Sequence, residues 1–524
     1  MFISEIKLSG IGNFPETEKV ISLDHNTLLC GNSKGRKSFF RALDLLFGDA
    51  IPVADDFYGQ NLRISAKLTF PESDPDEIPE FFHHMRADEN GDICAILEYS
   101  ALKTDSGIHS ELNWLLPHNV KRSVKPEELA GIRFTYLADD EDILKNAVRK
   151  TMLKKFHHAP DILLDLPEFA ENNAVMEAAK FIVSALKSID PAAYSPENYI
   201  SWLIDGIELN VRENKKLFLQ QLLKSLIILQ NGNETAKPHA GINLFFIDDL
   251  PDFNISAAGI QLIHSTSLPR NTENLSLENI RCFSENSVNF IILPENEDDK
   301  KFLMNAVKLF PELISSRMII LTISADDRII IEKFASISGI NLHQNNISII
   351  PLSGKKLHLL WQLLDRLGIP YLTLADLNHG LPGGDWEKIA DILYCGSRCG
   401  KILPAADEEN NPANIELIRK KSPDLQNEKP WINYLEDNWN VFLFMPTDLN
   451  RRMFQTFQAE LRMLYPEYPE DDEKFFKRLS AERNFSMIYT QLFSTLPDAE
   501  ISAKIPAKIL SIIEKIKNLR DQIK

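Results

Sequence analysis

The chain has 524 residues, of which 44% are hydrophobic and 25% are charged, and its formal net charge at pH 7 is -18. A chain of this length suggests about two to four domains. The negative charge argues against a protein that coats nucleic acid, but it does not exclude a nuclease that binds metal ions through carboxylates. No apolar stretch is as long as a membrane span, and the five scattered cysteines fit a reducing compartment. We therefore expect a cytoplasmic protein without a membrane segment.

The first chemically informative element is the loop from Gly31 to Ser38, between a strand-like stretch and a helical pattern. Its sequence is that of a P-loop, except that arginine replaces the glycine before the lysine. In a working loop the backbone N–H groups cradle phosphates, the lysine reaches the β- and γ-phosphates, and the following serine holds Mg²⁺. The predicted nucleotide-binding residues here are Gly31, Asn32, Gly35, Lys37 and Ser38. The alternative is a strand, turn and helix with basic residues placed by chance.

The next two segments continue this half of the chain. Residues 139–238 show apolar residues at three- and four-residue steps, which predicts a helical arm that serves dimerisation. In residues 239–284, the apolar stretch Asn243 to Ile247 precedes Asp248 and Asp249. This is the form of a Walker B strand, in which the first carboxylate lies near Mg²⁺ and the second polarises water. The alternative is a buried strand that ends in a solvated acidic turn.

From residue 285 onward, strand and helix patterns alternate, which predicts a mainly parallel sheet. Two predicted strands end on carboxylates, one before Glu295 and one at Asp376, and the segment 407–429 is predicted to be a surface excursion. Parallel strands present their carboxyl ends to one edge of the sheet, so these acids would converge there with others close by in sequence. Such oxygens suit Mg²⁺ or Mn²⁺ and metal-assisted phosphodiester cleavage. The alternative is solvated acids at helix N-termini, which the helix dipole favours.

Taken together, several motifs resemble the overcoming-lysogenisation-defect (OLD) family. They are the P-loop, the run Asp55-Asp56-Phe57-Tyr58, and the pattern of Glu295, Asp376-x-Asn378 and Gly383-Gly384-Asp385-Trp386. Proteins of this family join an ABC-type ATPase to a TOPRIM nuclease domain. The resemblance implies an α/β fold, with an ABC/RecF-like ATPase domain that contains a helical insertion, followed by a TOPRIM α/β domain with a parallel sheet. The implied domains are residues 1–138, the first ATPase-like lobe; 139–238, the helical arm; 239–284, the rest of the ATPase-like core; and 285–524, the TOPRIM nuclease-like domain.

The resemblance also implies roles for individual residues. Glu295 and Asp376 are the expected catalytic residues. The expected metal ligands are Glu295, Asp299, Asp376, Asn378 and Asp385. Asn378 stands where the family has a second acid, and an amide oxygen contributes no charge to metal binding. A basic residue usually completes such a site, and Lys477 and Arg483 are the candidates.

The implied function is that of a metal-dependent DNA endonuclease, a nickase, which acts in anti-phage defence. Its expected cofactor is Mg²⁺ or Mn²⁺, with weak binding of ATP. DNA, further copies of the chain and another defence-system component are the expected partners. The ATPase-like half departs from its family pattern at Arg36 and at Ser267, where a switch histidine is expected, so it is predicted to be a regulatory and dimerisation platform. The alternatives are a catalytically weak or inactive subunit of a larger defence complex, and a RecF-like ATP-binding DNA-repair protein.

Overall fold

A computed structural model of the chain describes residues 1–48, 50–70, 84–88, 91–129, 131–138, 143, 180, 184, 242–248, 260–266, 276–284, 286–352, 356–404, 414–445, 448–468 and 471–522. The chain divides into two compact units, Met1–Ile291 and Ile292–Lys524. Asp249, Ser267 and almost all of the predicted helical arm lie outside the described residues. Within the described residues, no helix combines the length and the apolar character needed to span a membrane.

Within its described residues, the first unit contains two sheets and a long helix at the P-loop. Its helix is α1 (Ser33–Phe47), and short 3₁₀ turns cover Ala54–Asp56, Pro117–Asn119, Pro126–Leu129 and Leu277–Asn279. Its strands are β1 (Phe2–Ser9), β2 (Lys19–Ser22), β3 (Asn26–Gly31), β4 (Asn61–Phe70), β5 (Arg86–Ala87), β6 (Ile93–Thr104), β7 (Gly107–Leu115), β8 (Lys121–Ser123), β9 (Ile132–Ala138), β10 (Ile242–Asp248), β11 (Ile260–Ser265), β12 (Ile280–Phe283) and β13 (Val288–Phe290). One sheet is antiparallel, in the order β2-β1-β4-β6-β7-β8 with β5 beside β6.

The other sheet of this unit has the order β13-β12-β3-β11-β10-β9. Its strands β9, β10, β11, β3 and β12 are parallel, and β13 is antiparallel to β12. Strand β3 leads directly into α1, whose apolar positions Phe39, Ala42, Leu43 and Leu46 are buried in a core that both sheets share. The sheet therefore places the carboxyl ends of β3, β10 and β11 beside the start of α1.

The part of the second unit that the structure describes contains a four-stranded sheet and thirteen further helical segments. The strands are β14 (Met318–Thr322), β15 (Ile347–Pro351), β16 (Tyr371–Asp376) and β17 (Val441–Phe444). The helices are α2 (Glu297–Leu309), a 3₁₀ turn at Pro311–Ile314, α3 (Ala325–Ile337), α4 (Leu357–Leu367), α5 (Asp385–Arg398), α6 (Ile415–Arg419), α7 (Leu425–Trp439), α8 (Leu449–Thr456), α9 (Gln458–Leu464), α10 (Asp472–Glu482), α11 (Phe485–Thr495), α12 (Asp498–Ala503) and α13 (Ala507–Gln522).

The sheet of the second unit has the order β15-β14-β16-β17, and all its pairs are parallel. Every residue of β14 and of β17 is buried. Such continuous burial is typical of a parallel sheet with helices on both faces. Helix α3 packs against α11 and α13, and α5 packs against α4, α6 and α7. The chain passes from β14 to β15 on one side of β14 and then returns to β16 on the other side of β14. The sheet therefore has a topological switch point between β14 and β16.

The α/β fold class predicted from the sequence is confirmed by these sheets, but two local predictions are wrong. The apolar stretch before Glu295 is not a strand of the second unit's sheet, because its strand, β13, covers three residues and pairs with β12 in the first unit. The segment 407–429 is not only a surface excursion, because it contains α6 and the first turn of α7. Within it, Ile418 and Glu428 are buried.

Candidate functional site

The P-loop sequence forms a tight turn into a helix. Helix α1 begins at Ser33, two residues after the first glycine of the motif. The side chain of Asn32 caps it by accepting hydrogen bonds from the N–H groups of Lys34 (2.9 Å) and Gly35 (3.2 Å). The N–H of Arg36 donates to the backbone oxygen of Asn32 at 3.2 Å. Three N–H groups of the motif are thus engaged by the chain itself.

Gly31 holds this turn against the neighbouring strand. Its φ is +85°, and a Cβ at this position would lie 2.3 Å from the backbone oxygen of Phe283. That same oxygen accepts a hydrogen bond of 2.8 Å from the N–H of Asn32. A residue larger than glycine does not fit here, because both the left-handed backbone and the close contact exclude a side chain.

The substituted residue of the motif, Arg36, points into the protein. Its side chain is 5% exposed, with Nη1 2.6 Å from Oγ of Ser265 and 3.6 Å from Oδ1 of Asp248. Ser265 and Asp248 are the last residues of β11 and β10. The guanidinium therefore supplies positive charge beside the carboxylate that a Walker B strand uses near Mg²⁺.

The other predicted nucleotide ligands lie around this turn. Lys37 is exposed. Ser38 is 8% exposed, and its Oγ donates to the backbone oxygen of Lys34 at 3.0 Å and accepts from the N–H of Asn13 at 3.2 Å. Burial lowers the pKa of His264, which is in β11, to about 4. The structure brings Arg36 and Asp248 together but turns Lys37 to the surface, so the nucleotide assignments stay predictions.

In the second unit, acidic residues follow three neighbouring strands. Asp376 is the last residue of β16. Asp327 lies in the first turn of α3, which follows β14, and Asp448 is the N-cap of α8, which follows β17. Because the three strands are parallel, all three carboxylates belong to the carboxyl edge of one sheet. We call these three residues the edge cluster.

The edge cluster is electrostatically coupled. Burial, and after it the negative charges of Asp327 and Asp448, raise the pKa of Asp376 to about 7. The N–H of Leu449, which donates to Oδ1 of Asp376 at 3.2 Å, and the charge of Lys388 act in the opposite direction. A half-buried carboxylate next to two others is a position that favours either a proton or a cation.

Local hydrogen bonds fix the other two carboxylates. Asp327 Oδ2 accepts from the N–H groups of Ile323 (3.2 Å) and Ser324 (3.1 Å), in a capping box at the start of α3. Burial nevertheless raises the pKa of Asp327. Asp448 Oδ1 accepts from the N–H of Arg451 at 2.7 Å. Their orientations are therefore set before any ligand binds.

A crevice opens at the topological switch point between β14 and β16. It has a volume of about 580 Å³ and is lined by the ends of both strands, including Thr322 and Ala375, and by α5. Two cationic side chains line it, Lys388 and Arg419, and Arg419 is paired with Asp391 at 2.7 Å. This is the usual place for a ligand in an open parallel sheet.

The predicted metal ligands are distributed over different local environments. Glu295 is exposed and lies before α2, and it is not among the charges that most influence Asp376. Asp299 accepts a hydrogen bond from Lys356 Nζ at 2.8 Å, which lowers the pKa of its carboxyl. Glu295 and Asp299 thus remain predictions without a contact to the edge cluster among the described residues.

Asn378 and Asp385 belong to the loop between β16 and α5. Both have left-handed backbones, with φ of +55° and +51°. Asp385 accepts hydrogen bonds from the N–H of Gly380 (2.8 Å) and from Nδ1 of His379 (2.5 Å). Since β16 ends at Asp376, Asn378 is not the next residue on one strand face, and the structure does not bring Asp385 into hydrogen-bond contact with Asp376 among the described residues.

The two basic candidates of the sequence analysis lie elsewhere in the unit. Arg483 Nε donates to the hydroxyl of Tyr468 at 3.3 Å, and Nη2 donates to Glu467 at 3.3 Å. Lys477 lies on α10. The cation that does influence Asp376 is Lys388, on α5.

Sequence reasoning did not select Asp327, Asp448 or Lys388 as site residues. A signal for Asp327 was present, because Ser324-x-x-Asp327 directly follows an apolar stretch and is a capping-box sequence. Asp448 likewise follows an apolar stretch. Lys388 had no local signal, because only the packing of α5 brings it near β16.

Comparison with known proteins decides which domain this unit contains. Residues 316–377 match the family model described as "Overcoming lysogenization defect protein-like, TOPRIM domain". The chain carries an OLD-like TOPRIM domain. The predicted resemblance to the OLD family is confirmed for this domain, and the matched residues run from β14 to just beyond the end of β16.

Solved structures with similarity to the chain include C-terminal regions of OLD proteins and an SMC head domain. The C-terminal region of the Burkholderia pseudomallei OLD protein is 17% identical, covers 40% of this chain and 99% of its own, and has a TM-score of 0.26. That of the Xanthomonas campestris pv. campestris OLD protein is 16% identical, covers 40% of this chain and 96% of its own, and has a TM-score of 0.24. The SMC head domain from Thermotoga maritima is 8% identical, covers 56% of this chain and 100% of its own, and has a TM-score of 0.28. Comparison with curated proteins found no match.

The range of the family match shows which strand the matched part of the TOPRIM domain begins with. The first strand within the matched residues, 316–377, is β14, which ends at Thr322. The Thr322 side chain is 1% exposed, and its hydroxyl donates to the backbone oxygen of Ser324 at 3.1 Å. A hydroxyl therefore ends this strand, and Glu295 lies outside the matched residues.

Proposed function

We propose that the chain is a metal-dependent DNA endonuclease of OLD type, and that the edge cluster holds its divalent cation. The observation that carries this proposal is the coupling of Asp376, Asp327 and Asp448, which follow three neighbouring parallel strands. The donor set consists of carboxylate oxygens, which suits Mg²⁺ or Mn²⁺. When bound, such an ion supplies an activated water and stabilises the departing oxygen of a phosphodiester.

The chain's own residues would prepare this site in three ways. Asp376, at the end of β16, would be a ligand of the ion, and its carboxyl group would have to be deprotonated to bind it. Hydrogen bonds from backbone N–H groups fix the orientation of the Asp327 and Asp448 carboxylates. Lys388 and the Arg419–Asp391 pair line the crevice beside β16, where Lys388 offers a positive charge to a backbone phosphate.

We propose that the ATPase-like half serves as a platform for assembly with a second copy of the chain, and that it does not hydrolyse ATP efficiently. The support is the Arg36–Asp248 pair and the engaged N–H groups of the P-loop. The substrate would be DNA, and the role would be cytoplasmic anti-phage defence together with other components, as the resemblance implies. The same features weigh against a RecF-like ATP-driven motor.

A second candidate is a catalytically silent subunit of a defence complex. Two positions favour it, because Thr322 ends the first TOPRIM strand without a carboxylate and Asn378 is an amide. Both reduce the negative charge available to a metal.

Incubation of the purified chain with supercoiled plasmid separates these candidates. We expect relaxed circles to accumulate with Mn²⁺ or Mg²⁺ and not with EDTA, with or without ATP. The absence of cleavage in every metal would reject the endonuclease and favour the silent subunit.

A further inference from the structure

The loop from Asn378 to Asp385 is built with an unusual number of left-handed backbones. Gly380 and Gly383 have positive φ, and so do Asn378 and Asp385. A Cβ at Gly384 would lie 2.1 Å from the backbone oxygen of Asn378. Asp385 is one of the few non-glycine residue types that adopt this conformation readily.

This loop and helix α7 bring three metal-binding side chains together. His379 and Asp385 come from the loop, and Glu428 comes from the first turn of α7. One possible ligand atom of each lies within 4.8 Å of the others. Asp385 and Glu428 are 43 positions apart in the sequence, so only the fold creates this group. We call these residues the loop triad.

Glu428 is the residue that distinguishes the loop triad from an ordinary hydrogen-bonded turn. Its side chain is 0% exposed. Oε1 accepts from the N–H of Asp424 at 3.1 Å, whereas Oε2 is buried and has no hydrogen-bond partner among the residues that the structure describes. A buried carboxylate oxygen with no partner is costly, and this carboxylate lies against His379 and Asp385.

The donor set of the loop triad differs from that of the edge cluster. One imidazole nitrogen and two carboxylate oxygens form a mixed set, which suits Zn²⁺ with water as a further ligand. Ligand atoms in such a site are about 3.3 Å apart, given metal–ligand bonds of about 2.0–2.1 Å. Two carboxylates and one divalent ion also leave no net buried charge.

We propose that the loop triad is a Zn²⁺ site that fastens the loop after β16 to helix α7. The ion takes the place of the proton between His379 and Asp385 and supplies Glu428 Oε2 with its missing partner. This inference does not depend on DNA cleavage, because the site would stabilise the fold whether or not the TOPRIM domain cuts DNA.

The test uses the full chain, stripped with a chelator and then titrated with Zn²⁺ by calorimetry. An excess of Mg²⁺ throughout occupies oxygen-only sites such as the edge cluster. We expect one equivalent of Zn²⁺ to bind, and the thermal midpoint to rise with Zn²⁺ concentration. Replacement by Co²⁺ should give a visible absorption band that reports the same ligands.

Variants assign the site to its residues. His379→Ala and Glu428→Gln should each weaken Zn²⁺ binding by at least about tenfold, whereas Asp376→Asn should not. His343→Ala is the matched control, since this histidine is 76% exposed in the same unit. Circular dichroism checks that each variant folds. His379→Ala is the variant least expected to disturb folding, because the His379 side chain is 32% exposed.

Three outcomes would overturn the inference. The first is a wild-type chain that binds no Zn²⁺ in excess Mg²⁺. The second is equal binding by wild type and His379→Ala. In the third, His343→Ala loses Zn²⁺ as completely as the loop-triad variants do.

Discussion

The guanidinium of Arg36 lies 3.6 Å from the carboxylate of Asp248, at the end of the strand where a Walker B motif would hold Mg²⁺. The residue that breaks the P-loop sequence therefore contacts the other half of the nucleotide motif. A Mg²⁺ ion at this carboxylate would have to compete with the Arg36 guanidinium, which is part of the chain itself. The arginine that replaces the P-loop glycine is therefore the reason why we expect inefficient ATP hydrolysis.

Removal of that charge should destabilise the first unit. Arg36→Ala leaves Asp248 and Ser265 without their partner, so we expect the free energy of unfolding to fall by about 1–3 kcal/mol. Arg63→Ala is the control, because Arg63 is 60% exposed and its pairing with Glu98 is weak. Thermal unfolding of both variants measures the effect. Equal midpoints for Arg36→Ala and wild type would mean that the buried pair contributes nothing.

ATP binding should be weak and independent of Lys37. Because this lysine is exposed, we expect Lys37→Ala to leave the affinity for a fluorescent ATP analogue unchanged, with a Kd weaker than about 1 mM in both proteins. In a working P-loop the same change removes the contact to the β- and γ-phosphates. A loss of affinity of tenfold or more in Lys37→Ala would show that the turn opens and grips nucleotide.

Asp376 should make the stability of the metal-free TOPRIM domain depend on pH. Its folded pKa of about 7 lies above about 3.9, the value in an unfolded chain. The folded state therefore binds this proton more tightly, and the contribution is complete below about pH 4 and lost as pH rises through 7. Its full size is at most about 4 kcal/mol.

Asp376→Asn removes that titration. In EDTA, the difference in unfolding free energy between wild type and Asp376→Asn should change between about pH 4 and pH 7 and stay constant at higher pH. Thermal unfolding at a series of pH values measures this. A difference that does not vary with pH would mean that neither burial nor the charges of Asp327 and Asp448 raise the pKa of Asp376 in the folded chain.

Asn378→Asp should raise the affinity of the domain for Mn²⁺. Aspartate tolerates the left-handed backbone of this position nearly as well as asparagine does, and a second carboxylate after β16 adds a charged ligand. Titration of Mn²⁺ against plasmid cleavage compares the midpoints of the two proteins. An identical midpoint and basal rate would show that residue 378 does not face the metal.

The fold was largely predictable because its signals are local. Apolar stretches followed by helical patterns revealed the strands β10, β14, β16 and β17, and the acid at the end of β16 was recognised. The stretch before Glu295 was wrongly predicted to be a strand of the second unit's sheet, because its composition is that of a buried strand. Its pairing with β12 is decided by tertiary contacts. Asp327 and Lys388 could not be selected, since only strand order and helix packing bring them near Asp376.

The loop triad is a second group of residues that local sequence signals could not bring together. Asp385 was predicted to serve a metal through its sequence neighbourhood, but its closest partner proved to be His379. Glu428 stood in a polar, proline-containing stretch that gave no sign of burial. Periodicity cannot identify a buried charged residue, because the reason for its burial lies in a distant part of the chain.

The most direct test of the account compares two chemically identical changes in the plasmid assay with Mn²⁺. Asp376→Asn alters the edge cluster, and Asp437→Asn alters an exposed aspartate of α7 in the same domain. We predict that Asp376→Asn lowers the initial rate of nicking by at least about 100-fold while Asp437→Asn cleaves at the wild-type rate. Equal rates for Asp376→Asn and wild type, in a protein that does cleave DNA, would contradict the assignment of the metal to the edge cluster.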